Sequence, residues 1–379
     1  MKTIYFDHAA TTAVAPEVKE AMEPYFCENY GNASSLYELG YKSKEAINIA
    51  RVNVAKAINT KPNEIYFTSC GSESDNLALK GVARAHRQNG NHIITSRIEH
   101  PAVLNTCRQL EKEGFKVTYL DVDKNGFIDL EELKNSINSK TILVSIMFAN
   151  NEVGTIEPIK EISRIVHSNN AIFHTDAVQA FGHIEIDVKK IGADMLSASS
   201  HKFHGPKGCG FLYADKNTGI KPFIYGGGQE RGQRSGTENV PGILGMVKAA
   251  EISHRIMDEN NRKLRKINDY MTDRILNEID DCICNGNREN RLSNNINVSF
   301  GNIDGKALLV LLDMEGVYVS GASACNGGKE KSYVLSSLGV PEKYADGTIR
   351  MTMDYTMNMK QADYVLNVLK KCVNYLRKK

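Results

Sequence analysis

Short β-branched runs alternate with amphipathic stretches of helix length through the first two-thirds of the chain, and no other feature limits the fold as much. Strands are expected at 64–69, 92–96, 116–120, 141–148, 171–175, 195–199 and 210–213, with helices at 73–88, 102–113 and 158–168 between them. Strand–helix–strand repetition builds a mainly parallel sheet whose two faces are covered by helices. The alternation therefore predicts an α/β fold.

Around Pro241 the pattern changes. A long charged helix is expected from about 243 to 278, then a strand at 295–300, a helix near 305–315, a Gly-rich loop and a C-terminal helix. A length of 379 residues exceeds one small core. We expect a large α/β domain over 16–255 and a smaller α+β domain formed by 1–15 and 256–379, with a loop at about 320–332.

A net charge of +2 gives no reason to expect nucleic acid as a partner. No apolar run approaches the roughly 18 to 20 residues that span a bilayer, so no membrane association is expected. The first residues enter a strand-like segment without the pattern of a signal peptide. The eight cysteines, at 27, 70, 107, 209, 282, 284, 325 and 372, have the spacing of neither a disulfide framework nor a zinc ribbon. A reducing cytoplasm fits this usage, most of the cysteines are expected to be small buried apolar residues, and no metal centre is read from the spacing.

Two polar residues follow predicted strands at the sheet edge where open α/β sheets place ligands. Asp176 lies in His174-Thr175-Asp176-Ala177-Val178-Gln179, and Lys202 in Ser199-Ser200-His201-Lys202. A lysine and a carboxylate delivered from neighbouring strand ends match the needs of pyridoxal phosphate, which bonds to an amine and is held protonated at its ring nitrogen. Each residue alone reads equally as ordinary surface chemistry, Lys202 as a solvated lysine and Asp176 as a helix cap. Two further elements join them. Ser69-Cys70-Gly71-Ser72-Glu73-Ser74-Asp75 lies between a strand and a helix, with Gly71 at the turn, Ser72 as cap and Asp75 completing a capping box. Free amides at such a helix start form a phosphate site. His100, in Arg97-Ile98-Glu99-His100-Pro101, would stack on a ring and shuttle protons from a reference pKa near neutrality.

With these residues in place, the chain resembles the class V, fold-type I pyridoxal-phosphate enzymes, and specifically the NifS/IscS-type cysteine desulfurases. The resemblance runs almost end to end. It takes in Tyr5-Phe6-Asp7-His8-Ala9-Ala10-Thr11-Thr12, Gly31-Asn32-Ala33-Ser34-Ser35, Ala149-Asn150-Asn151-Glu152-Val153-Gly154-Thr155 and Gly226–Thr237. It implies Lys202 as the lysine that bonds the cofactor, Asp176 as the partner of its ring nitrogen and His100 as the stacking imidazole. Gln179 would bond the ring's phenolic oxygen. Ser72, Ser199 and His201 would hold the phosphate, with Thr237 reaching across from the second subunit of a homodimer. Asn151 and Arg350 would bind the substrate, L-cysteine, Arg350 through a bidentate grip on its carboxylate.

Cys325 then names the reaction. It sits in Val319-Ser320-Gly321-Ala322-Ser323-Ala324-Cys325-Asn326-Gly327-Gly328, among small and polar residues with no apolar periodicity to bury it. The resemblance implies that its thiolate takes sulfur from cysteine as a persulfide, releases alanine, and hands the sulfur to an acceptor protein such as an iron–sulfur scaffold. A selenocysteine lyase, a class V aminotransferase or a weakly active scaffold would share Lys202 and Asp176 without requiring Cys325.

Some positions depart from the family pattern. Ser200 stands where glycine is common and adds a side chain beside the phosphate site. His8 stands where an aromatic is common, and Asn326-Gly327-Gly328 replaces a Thr/Ser-containing run. Met351-Thr352-Met353-Asp354-Tyr355 follows Arg350, so the Asp354 carboxylate either weakens the grip of that arginine or points outward. One further stretch, 121–132, fits a calcium-loop pattern, but the segment before it reads as a strand where a helix is needed. It is expected to be a solvated strand-to-helix turn.

Overall fold

The computed structural model describes residues 3–321 and 332–378. In chain order its strands are β1 (Ile4–Tyr5), β2 (Ile65–Thr68), β3 (His92–Ser96), β4 (Lys116–Leu120), β5 (Thr141–Ser145), β6 (Ile172–Asp176) and β7 (Met195–Ser199). There follow β8 (Gly210–Ala214), β9 (Cys282–Cys284), β10 (Asn295–Phe300), β11 (Val317–Tyr318), β12 (Ser320–Gly321) and β13 (Thr348–Thr352).

Seven of these form one sheet in the order β2-β8-β7-β6-β5-β3-β4. The run β4-β3-β5-β6-β7 is parallel, and β8 is antiparallel to both of its neighbours. Successive residues feed opposite faces, as the pleat requires. Ile94, Val144, Leu196 and Phe211 enter one core, while Ile93, Leu143, Met195 and Leu212 enter another. Helices bury both faces, which is why these strands read as continuous apolar runs. The mainly parallel α/β fold predicted from the alternation is the observed one.

The two face cores make up the first core region, and a second lies under the four-stranded antiparallel sheet β12-β13-β10-β9. The helix Val240–Glu278 runs through both cores. Ile243, Met246 and Ala250 pack in the first, and Leu264, Ile267, Met271 and Ile275 in the second, at the spacing that keeps one face inward. It starts at Asn239, whose side chain accepts from the Gly242 amide, with Pro241 in the first turn. Ile4 and Phe6, at the other end of the chain, also enter the second core.

Two expectations change. The strand at 141–148 ends at Ser145, because Ile146 and Phe148 donate to His174 and Asp176 as single bonds beyond the ladder. Only Cys107, Cys209 and Cys372 of the seven described cysteines are buried; Cys70, Cys282 and Cys284 are half-buried and Cys27 is exposed. The 121–132 stretch follows β4 and leads into the helix Leu130–Ser136, capped by Asp129. There the Asp123 carboxylate accepts from the Asn125 and Phe127 amides, so the segment is the expected strand-to-helix turn.

Candidate active site

The C-terminal ends of the parallel strands converge on a cavity of about 320 Å³. Asp176 closes β6, is buried, and accepts at Oδ1 from the Val178 amide at 2.9 Å. Burial pushes its carboxyl up to about 6 against the opposing charge of Lys202. Lys202 ends the short turn Ser200–Lys202 directly after β7. Its Nζ donates to the carbonyls of Ala9 and Ala10 at 2.6 and 2.9 Å. The N-terminal segment thereby forms one wall of the cavity.

On the opposite side starts the helix Gly71–Ala85, and here the capping box is not found. Cys70 is the N-cap and no side chain caps the helix. Glu73 takes over the backward reach, accepting from the Ser69 amide at 2.9 Å while pairing with Arg234 at 2.7 Å. Ser72 is left exposed in the first turn and lines the cavity. The first-turn amides are therefore available to an anion. Gly71 lets the helix start approach the cavity floor, since a Cβ there would lie 2.5 Å from Val178 Cγ2.

Asp75 turns inward instead of capping. It follows Gly71 by four residues and so shares its face of the helix. It is buried, its Oδ1 lies 3.8 Å from His174 Nε2, and burial beside Asp176 pushes its carboxyl well above the usual range. His174 bridges Ser145 Oγ and Ser197 Oγ at 2.9 and 3.0 Å, and burial pushes the imidazole down to about 3. Asp75 and His174 thus form a buried polar layer beside Asp176. Neither Asp75 nor His174 was assigned this role from sequence; the one-turn spacing from Gly71 was the available signal.

His100 caps the helix Pro101–Lys112 through Nδ1, which accepts from the Ala102 amide at 3.1 Å. Burial, with Lys202 adding to it, pushes the ring down to about 4. A stacking role fits this neutral ring.

Gln179 lines the same cavity and donates from Nε2 to the Ala9 carbonyl at 3.1 Å. His201 Nδ1 lies 3.1 Å from Thr11 Oγ1, and burial beside Lys202 and Lys207 pushes it down to about 4. Ser199 presents a buried Oγ without a hydrogen bond. Ser200 does not line the cavity; its Oγ would lie 2.0 Å from a Cβ on Gly205, so the added side chain faces away from the phosphate position.

The residues expected to bind substrate arrive from two other segments. Asn151 follows β5 and its carbonyl accepts from Arg350 Nη1 at 3.0 Å. Arg350 stands on β13, and its Nη2 meets Asp7 Oδ1 at 2.8 Å. Its Nε is buried without a partner, an opening for one more acceptor. Asp354 neither touches Arg350 nor points into solvent; it faces His8 and His204. Thr237 is exposed and does not line this cavity. Cys325 lies outside the described residues, but both flanks of its loop are anchored here. Ser320 pairs with Arg350 in the sheet register, and Ser332 Oγ donates to Glu152 Oε2 at 2.6 Å.

The donor set suits an aromatic phosphate ester bonded to an amine. An uncapped helix start and an unpartnered Ser199 hydroxyl await an anion, and a buried carboxyl stands across from the lysine. Fold and site together are those of a fold-type I pyridoxal-phosphate-dependent transferase.

Comparison with known proteins narrows this. The class-V aminotransferase family model matches residues 4–365. Cysteine desulfurase IscS of Methanosarcina thermophila is 52% identical over 377 residues, covering 99% of this chain and 93% of that protein. A solved NifS-like protein superposes with a TM-score of 0.94 at 40% identity, covering 99% of this chain and all (100%) of the other. SspA, solved in complex with cysteine, superposes at 0.82 with 37% identity, covering 93% of this chain and 99% of that one. The chain belongs to the class-V aminotransferase family, in its branch of NifS/IscS-type cysteine desulfurases.

Proposed function

We propose that the chain converts L-cysteine to L-alanine and takes the sulfur as a persulfide on Cys325, for delivery to iron–sulfur cluster or thiolation acceptors. One observation carries the reading: Lys202, Asp176, His100, Asn151 and Arg350 line one cavity in a chain of this family. The reaction balances without an added oxidant. The carbon–sulfur bond of cysteine breaks, a sulfur–sulfur bond forms on Cys325, and the substrate carbon takes a proton to become alanine.

Pyridoxal phosphate would be held by Lys202, with Asp176 at its ring nitrogen, Gln179 at its phenolic oxygen, and Gly71, Ser72, Ser199 and His201 around its phosphate. When bound, it supplies an electron sink for the pair left at the substrate's α-carbon. Arg350, held by Asp7 and the Asn151 carbonyl, orients the substrate carboxylate. Lys202 Nζ, placed by two backbone carbonyls, moves the proton at the α-carbon. His100 covers the ring as a neutral imidazole and keeps water from that face. Cys325 needs help to reach the thiolate, because a free thiol near pKa 8.5 is only a few per cent ionised at neutral pH.

The remaining parts of the reading are also proposals. The two cores correspond to domains at 16–255 and at 1–15 with 256–379. The chain works as a homodimer in which Thr237, exposed here, completes the partner's phosphate site. The reaction runs in the reducing cytoplasm. No helix among the described residues is long and apolar enough to cross a membrane.

The test is persulfide mapping after incubation of the holoenzyme with L-cysteine, beside an assay of alanine and sulfide for wild type and Cys325→Ala. The extra sulfur is expected on Cys325, and the variant is expected to lose at least 100-fold in alanine formation. Alanine release at the native rate from Cys325→Ala would instead indicate a lyase that does not use this thiol, whereas transfer of the amino group without alanine would indicate an aminotransferase.

A further inference from the structure

Two of the departures noted in the sequence, His8 and Asp354, lie 346 residues apart and meet in the fold, where His204 joins them. His8 Nε2 is 3.7 Å and His204 Nε2 4.0 Å from the same oxygen, Asp354 Oδ2. All three candidate ligand atoms lie within 4.8 Å of one another, and no other such cluster of His, Cys, Asp or Glu occurs among the described residues. The side chains are only 10 to 13% exposed.

These separations are too long for hydrogen bonds, which need about 2.7–3.2 Å. They are close to the edges of a metal polyhedron, since ligands about 2.1 Å from a tetrahedral ion stand about 3.4 Å apart. The other polar atoms of His204 and Asp354 are already committed, while His8 Nδ1 is buried without a hydrogen bond. His204 Nδ1 bonds the Ala13 carbonyl at 3.1 Å, which fixes the proton there and leaves a lone pair on Nε2. Asp354 Oδ1 accepts from both the amide and the hydroxyl of Thr356, at 2.9 and 2.6 Å, leaving Oδ2 to the imidazoles. Tyr5 packs edge-on to His8, and Tyr355 to His204, each with ring centroids 4.9 Å apart, so both rings are held in place.

An imidazole lone pair aimed at a carboxylate oxygen is a repulsive arrangement unless a cation lies between them. We propose that His8, His204 and Asp354 form a binding site for a divalent transition-metal ion of the zinc class. Two imidazoles and one carboxylate leave coordination positions open. These face an open recess of about 610 Å³, which water or a small anion can enter. The site is separate from the cofactor cavity, yet it shares the segment Asp7–Thr12 with it. Metal binding would clamp that segment between His204 and the residues that follow Arg350.

The test titrates Co²⁺ into the metal-stripped holoenzyme, monitoring calorimetric heat, visible d–d bands and paramagnetically shifted imidazole NMR signals. One equivalent per chain is expected, with two shifted imidazoles in the wild type. Affinity is expected to fall at least ten-fold in each of His8→Ala and Asp354→Asn. The NMR signature belongs to the wild type and does not depend on the variants folding. Absence of saturable binding, of the two shifted imidazoles, or of any loss in the variants would overturn the site.

Discussion

Arg350 and Asp7 stand 343 residues apart and form a partly buried ion pair, with Nη2 at 2.8 Å from Oδ1. The pair fixes one end of the guanidinium while Nε stays buried and open to an acceptor. Loss of a charge-assisted bond of this kind costs about 1.5–3 kcal/mol. Arg350→Ala is therefore expected to raise KM for cysteine by roughly 10- to 100-fold or more. Asp7→Ala leaves the charge but loosens its orientation, and a rise of about three- to ten-fold is expected. Steady-state kinetics on both variants checks the order.

His100 should remain neutral through the working range. Burial beside Lys202 holds it at about 4, and its Nδ1 is occupied by the Ala102 amide. The ring nitrogen shifts of His100, followed by NMR in labelled holoenzyme, are expected to stay those of a neutral imidazole from pH 8 down to pH 5. An inflection near pH 6.5 would contradict this.

Glu157 predicts a stability trend with pH. Burial pushes its carboxyl up to about 8, against a bond from the Ile128 amide and with Asp123 adding to the rise. Because the folded pKa lies above the unfolded one, its contribution is complete below about pH 4.5 and is lost as pH rises through about 8. Glu157→Gln, which keeps the shape without the charge, should lie near wild type at pH 5 and exceed it at pH 8.5, by up to about 4 kcal/mol. Urea midpoints at the two pH values measure the difference.

Gly71 is the point at which helix and cavity floor come closest. A methyl group there would lie 2.5 Å from Val178 Cγ2, so Gly71→Ala must shift either the helix start or the Val178 turn beside Asp176. Fluorescence titration of the apoenzyme with pyridoxal phosphate should show affinity reduced about ten-fold, with the melting temperature of the apoenzyme changed much less.

The large sheet was legible because its strands obey a local rule. All but the edge strand β4 are buried, they carry short runs rich in apolar and β-branched residues, and the expected limits of β3, β4 and β7 coincide with those observed. Strands of two or three residues, such as β9, β11 and β12, carry too little pattern to be read. Lys202 and Asp176 were legible because strand ends mark the ligand edge of such sheets. Asp75 was misread because a carboxylate one turn into a helix looks like a cap when Glu73 is not known to be taken by Ser69 and Arg234. Asp354 was read against its sequence neighbour Arg350, whereas its partners His8 and His204 come from distant parts of the chain. Long-range pairing of that kind leaves no periodic trace.

The two carbonyls that receive Lys202 belong to Ala9 and Ala10, 193 and 192 residues before it in the sequence. Asp7 must wait for Arg350, which follows 343 residues later. At about 10 residues per second, roughly half a minute separates the synthesis of the two. A nascent chain released before β13 would have its large sheet but an unfinished site. Lys202 can meet the Ala9 and Ala10 carbonyls well before β13 is made, whereas the grip of Asp7 on Arg350 closes only after it.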